Sequence, residues 1–194
     1  FAICWRAIAP DFCVGFIYSN YDWKFVVEKA RMLKLVSWMW TRMSAVTKYK
    51  STDNSVLEWN YIEDAGIKIA ADETFESTYL KVPGCIMMDA RVCFKKLYPK
   101  GDVMAAGSLK FYLKISGLSG KADMPYKHMW ECYDEALRVR SGKITGPEAT
   151  AAAEKMRHVA HYCVIDALRC QQLMVKRNVY NDNREVSSIA YVTL

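Results

Sequence analysis

Residues 12–18, FCVGFIY, constrain the fold more than any other stretch of this sequence. The run is rich in β-formers and apolar at successive positions, so both faces of the predicted strand must be covered, as in a sheet flanked by helices. Ser19 and Asn20 break it, and a helix is predicted from about Tyr21 or Asp22. Val26, Ala30, Leu33, Val36 and Trp40 give this helix an apolar face, with Lys24, Glu28, Arg31 and Lys34 mostly turned away. The pattern is that of an α/β domain. Asp22 then stands where a central strand gives way to a helix. In open α/β sheets that edge is where ligands bind, and an acid there can hold a cation near a phosphate. A plain helix cap, worth about 1 kcal/mol, is the other role open to the same residue, and the two are compatible.

A second stretch, Glu154 to Met174, reads as one long helix. Met156, Ala160, Cys163, Ala167, Cys170 and Met174 recur at steps of three and four, which predicts a small apolar stripe against a core. Tyr162 and Asp166 flank that stripe. Residues four apart on a helix are neighbours, so this phenol and carboxylate can act on one water or one metal ion. A packed phenol beside a solvated acid gives the same spacing, and pockets are few per protein, so the pair alone decides nothing.

The rest of the chain supplies the frame. FAICWRAIA suits the end of a helix, and Pro10-Asp11 forces a turn. TKYKSTDNS reads as a polar loop, LEWNYIEDAGIKIA as one or two strands, and ADETFES as an acidic loop. YLKVPGCIMMDARVCFKKLY predicts a strand over 85–89 passing into a helix that ends before Pro99. After a loop over 101–107, Ser108 is a suitable N-cap for LKFYLKISGL, with Leu109, Tyr112, Leu113 and Leu118 facing inward. A helix over YKHMWECYDEALRVR follows Pro125, and the connector SGKITGP leads to the long helix, which starts near Thr145 or Pro147.

Composition narrows the function classes. With 52% hydrophobic residues in 194, there is enough apolar material for one large domain. No apolar run approaches the roughly eighteen residues that span a bilayer, so no membrane partner is expected. The seven cysteines are an odd, scattered set without a C-x-x-C pair, which predicts buried thiols in a reducing compartment. His128, His158 and His161 are not at ligand spacing from any cysteine pair, which argues against zinc. The net charge is +6, and basic residues gather at 91–100, 138–143 and 175–178. Such clusters suit contact with a polyanion, although an ordinary solvated surface carries them too. Phe1 in place of an initiator Met and the apolar ending SSIAYVTL suggest a piece of a longer chain.

Taken in order, these stretches resemble the exonuclease region of family B DNA polymerases. GFIYSNYDWKFVVEKA at 15–30 resembles the second exonuclease motif, in which a glycine and an aromatic residue lead to Tyr-Asp-Trp and a helix. AHYCVIDALRCQQLM at 160–174 resembles the third, Tyr-x-x-x-Asp. VPGCIMMD at 82–89 and SLKFYLKISGLSGKAD at 108–123 are similar to the joining segments of eukaryotic delta-type and large DNA virus enzymes. NVYNDNREVSSIAYVTL looks like the start of the segment leading towards the polymerase palm.

The resemblance implies a ribonuclease H-like α/β fold, a mixed sheet flanked by helices, with a 3′-5′ exonuclease domain over 1–176 and the lead to the palm over 177–194. In that family two Mg²⁺ ions are held by four carboxylates. Asp22 and Asp166 carry over as two metal ligands and Tyr162 as the group that orients the attacking water. The other two ligands, an Asp-x-Glu pair on a first strand, are expected upstream of Phe1. Ile17 stands where the family usually has Asn. Asp89 matches a strand residue that is not among the four ligands, and a structural role is expected for it.

The parent implied is a DNA-directed DNA polymerase acting in replication. Its partners are primer-template DNA with a single-stranded 3′ end, deoxynucleotides and replication accessory proteins. It works inside the cell, in the nucleus of a cellular source or at the replication site of a virus. A degenerate domain kept as a scaffold or DNA-binding module, and a stand-alone nuclease of the same fold, are the alternatives.

Overall fold

Phe12–Gly15 forms strand β1, and it pairs in parallel with β4, Ile86–Asp89, in the register Phe12 to Ile86 and Gly15 to Asp89. In this computed structural model residues 1–44, 62–98, 107–120 and 123–192 are described. The polar stretch 47–55, the start of LEWNYIEDAGIKIA and the loop over 101–106 lie outside them.

Alternation along the two strands distributes side chains to two cores, as the pleat of a strand requires. Val14 and Met88 pack on a cluster built from Ala90, Phe94, Tyr112, Leu113 and Leu173. Cys13 and Met87 pack on the other, built from Trp5, Tyr18, Trp23, Val27 and Leu80. This two-sided burial is what the unbroken apolar run at 12–18 predicts. The strand itself stops at Gly15, short of the expected Tyr18, because residues 16–21 turn over the strand end towards the next helix.

The helices fall on either side of this pair. On one side lie α1 (Ala2–Ile8), α2 (Asp22–Met32) and α3 (Val36–Met43). On the other lie α4 (Ala90–Leu97), α5 (Leu109–Ile115) and the C-terminal part of α7 (Pro147–Lys176). Helix α6 (Tyr126–Arg140) packs against α7, where Lys155 reaches Glu135 at 2.8 Å, and α8 (Val179–Ala190) follows. Ser108 caps α5 by accepting from Phe111 N at 3.1 Å, and Leu109, Tyr112 and Leu113 face inward as the sequence predicts. Arg177 joins the ends of α5 and α7, donating to Ser116 Oγ at 3.1 Å and to Ile115 O at 3.0 Å.

Several expectations are corrected. The strands form two small sheets among the described residues, the parallel β1–β4 pair and an antiparallel hairpin of β2 (Ile62–Ala70) and β3 (Glu73–Leu80), where a single mixed sheet was expected. The stretch ADETFES is no loop. Only Ala71 and Asp72 turn, and Glu73 onwards is β3, with Phe75 and Ser77 buried between exposed Thr74 and Glu76. Period-2 burial and pairing to β2 outweigh the acidic composition. The helix expected to run from 22 through Trp40 breaks in two at Lys34, whose φ is +56°. Leu35 N reaches back to Ala30 O at 2.8 Å in a Schellman-type stop, and α3 leaves in a new direction, from which Trp40 Nε1 donates to Lys81 O. Leu33 is consequently exposed. Of the stripe on α7, only Cys170 and Met174 are buried, beside Leu173, while Ala160, Cys163 and Ala167 are exposed. The cysteines are all free, but Cys4 and Cys163 are exposed where buried thiols were expected.

Candidate active site

The site begins with Gly15. A Cβ on this residue would lie 2.5 Å from Tyr18 Cγ and 2.6 Å from Tyr18 Cβ, so the chain can fold Tyr18 back over the strand end only if residue 15 has no side chain. Tyr18 is buried, and its hydroxyl donates to Cys13 O at 3.0 Å. Gly15→Ala is therefore expected to cost ~1–3 kcal/mol, because the atoms it meets are at the fixed end of the tyrosine. Urea unfolding of the variant checks this, and an unchanged midpoint would show that the turn yields.

Residue 17 is held in a left-handed conformation, φ +64°, which is rare for a β-branched side chain. The turn is pinned there by Asp89 at the end of β4. Its Oδ1 accepts from Ile17 N at 3.1 Å and from Arg91 N at 3.0 Å. Its Oδ2 accepts from Ser19 N at 3.2 Å and Ser19 Oγ at 2.8 Å. One buried carboxylate thus fastens the β1–α2 turn and caps α4. The β2–β3 hairpin braces the same turn, through Thr78 N to Ser19 O at 2.7 Å and Asn20 Nδ2 to Glu76 O at 2.8 Å. Asn tolerates left-handed backbone where Ile does not, so relief of strain in Ile17→Asn offsets the weaker apolar packing of the amide. The stability change is expected to stay within ~1 kcal/mol by denaturant unfolding, against the larger loss usual for a polar residue placed in a core.

Out of this turn comes Asp22. It is the first residue of α2, after the N-cap Tyr21, which makes no side-chain capping bond, and its carboxylate stands in the first turn near its own backbone N–H. Its carboxyl is exposed on one side, yet partial burial, and then the charge of Asp89, raise its pKa above the usual carboxylate value. To the same cleft α7 contributes Tyr162 and Asp166, both half-buried. Asp22, Tyr162 and Asp166 line one open cleft of about 1020 Å³ beyond the ends of β1 and β4. The exposed part of the α7 stripe has its explanation here, since Cys163 and Ala167 line the same cleft. Small side chains at these positions leave the space open.

With this geometry in hand, residues 1–102 match the exonuclease domain of DNA polymerase family B. The chain belongs to that family. The chain is also similar over 186 residues to the protein named DNA polymerase beta in a Kenyan pig isolate of African swine fever virus, with 38% identity. A Namibian warthog isolate gives the same 38%, and a tick isolate from Malawi gives 37% over 185 residues. The alignments cover 96% and 95% of this chain but only 14% of the relatives, so the chain spans a small part of their length. No solved structure matches.

Sequence reasoning missed the basic residues of the cleft. Arg91, Lys95 and Lys110 line it together with Phe16 and Ile17. The run RVCFKKLYPK signalled positive charge, but only the packing of α4 and α5 against the strand ends turns part of it into the cleft. Among the described residues no three His, Cys, Asp or Glu side chains gather as a metal site, and Asp22 and Asp166 are the two carboxylates the cleft offers. No helix of the described residues is long and apolar enough to cross a membrane.

Proposed function

We propose that this exonuclease domain proofreads for a DNA-directed DNA polymerase, hydrolysing the 3′-terminal phosphodiester of a DNA strand that enters the cleft. The observation that carries the reading is the convergence of Asp22, Tyr162 and Asp166, from segments about 140 residues apart, on one cleft that basic residues also line. Carboxylate oxygens are hard donors that fit Mg²⁺, and a carboxyl whose pKa is raised by burial and by a like charge gains most from a neighbouring cation. When bound, a pair of such ions supplies an activated water and offsets the charge on the leaving oxygen.

The chain's own residues have narrower tasks. Asp22 and Asp166 would hold the ions through their carboxylate oxygens. The Tyr162 phenol, one turn from Asp166, donates or accepts at the attacking water and fixes its approach. Two further carboxylates are called for by the family pattern, and this sequence carries no Asp-x-Glu pair. Residues 1–176 form the nuclease part in this reading, and α8 begins the lead towards the palm. The parent works inside the cell on primed DNA and deoxynucleotides.

A second reading, a degenerate domain that binds DNA without chemistry, is favoured by Ile17, an apolar residue where the family has an amide. Single-turnover excision of a mismatched primer by the full-length parent separates the two. The Asp166→Ala variant is expected to lose excision and retain extension, and unchanged excision would overturn the nuclease reading.

A further inference from the structure

Among the described residues, one cationic side chain of the cleft lining has a polar atom that is buried and left without a partner. Lys95 is paired with Glu73, which ties α4 to the start of β3. Arg91 sits a turn earlier on α4. Its backbone N–H is used by Asp89, but its guanidinium makes no ion pair with any described residue. The Nε is sealed from solvent without a hydrogen-bond partner, and the Tyr112 hydroxyl on the same side is buried and likewise unpartnered among the described residues. The two feel each other, since burial raises the Tyr112 pKa while the Arg91 charge works against the rise. The Arg91 Nη2 lies 3.9 Å from the position a Cβ would take on Gly107, itself part of the cleft wall.

A buried guanidinium N–H without a partner is costly, and a planar fork of N–H donors matches the oxygens of a phosphate. The cleft therefore carries both kinds of charge: the carboxylates of Asp22 and Asp166, which suit cations, and the basic side chains of Arg91 and Lys110. We propose that Arg91 grips a backbone phosphate of the DNA strand lying in the cleft, one linkage or more away from the bond being cut, and so sets how the strand is seated. This rests on the reading of the cleft as a DNA-strand site and adds to it the residue that holds the strand.

The test uses the full-length polymerase and a labelled single-stranded oligodeoxynucleotide, bound in EDTA so that no chemistry occurs. Arg91→Gln is expected to weaken binding about tenfold and to reduce the slope of log K against log salt by about 0.7, the share of one phosphate neutralised on a single strand. Arg91→Lys, which keeps the charge without the fork, is expected to retain the slope and lose part of the affinity. Replacing single linkages near the 3′ end by methylphosphonate is expected to weaken wild-type binding at one linkage and to have no further effect there in Arg91→Gln. Wild-type affinity and slope in Arg91→Gln would overturn the proposal. So would a fall in Tm of several degrees in both variants, which would make Arg91 a structural residue. Asp166→Ala excision, measured alongside, judges the nuclease reading separately: lost excision with an unmoved Arg91→Gln slope removes the Arg91 proposal alone.

Discussion

Replacing Asp89 by Ala is expected to destabilise the domain by ~3–5 kcal/mol, the cost of removing one partner from a buried charged network. Four donors meet this carboxylate: Ile17 N, Ser19 N, Ser19 Oγ and Arg91 N. Three are backbone groups at a turn and a helix start, where no neighbouring strand can take over. Against a typical total stability of about 5–15 kcal/mol, the loss is a large share. Relief of the strain at Ile17 offsets a part of it, since Asp89 no longer holds the N–H of that left-handed residue. Asp89→Asn keeps the shape and one acceptor oxygen, so its loss is expected to be about half. It carries a second signature. Burial and the Asp89 charge both raise the Asp22 pKa, so neutralising Asp89 should lower it part of the way back, leaving the part due to burial. Urea unfolding measures the first effect and NMR titration of the Asp22 carboxyl the second. A variant as stable as the parent would mean that water replaces the carboxylate.

The second large effect is on activity. Asp166→Ala is expected to slow excision of a mismatched primer by about 10³-fold or more, because a carboxylate that holds a catalytic cation contributes several kcal/mol of charge stabilisation, and ~4 kcal/mol corresponds to that factor. The fold should tolerate the change: Ala is the best helix former, and the position lies well inside α7. Extension of a matched primer is expected to continue, since in the proposed reading Asp166 serves the excision cleft. Rapid-quench measurement of both reactions on one preparation makes the comparison internal. Equal loss of both would point to misfolding, and loss of neither would remove Asp166 from the chemistry.

How much of this is legible in the sequence depends on whether a signal is local. The span of α6, the capping of α5 by Ser108 and the body of α7 follow from period, caps and proline, all written within a few residues. The stop at Lys34 is not legible, because a lysine in left-handed backbone carries no sequence mark and is imposed by where Trp40 must reach Lys81. ADETFES hides a strand because its acids outweigh the alternation of Phe75 and Ser77. The small residues of α7 at 163 and 167 suit a core on their spacing alone, since a stripe shows which side chains share a face and not what that face meets.

The sequence by itself determined the α/β class, the two-sided burial of β1, the family and the identity of Asp22, Tyr162 and Asp166 as residues to watch. Each is a property of neighbours along the chain or of an ordered set of motifs. Only the tertiary structure decided that those three line one cleft, that Asp89 is consumed by four hydrogen bonds, and that Arg91 lines the same cleft as the acids. The physical reason is distance along the chain: β1 and β4 pair across about 70 residues and α7 closes over them from further still, so the cleft exists only once the strands are in register.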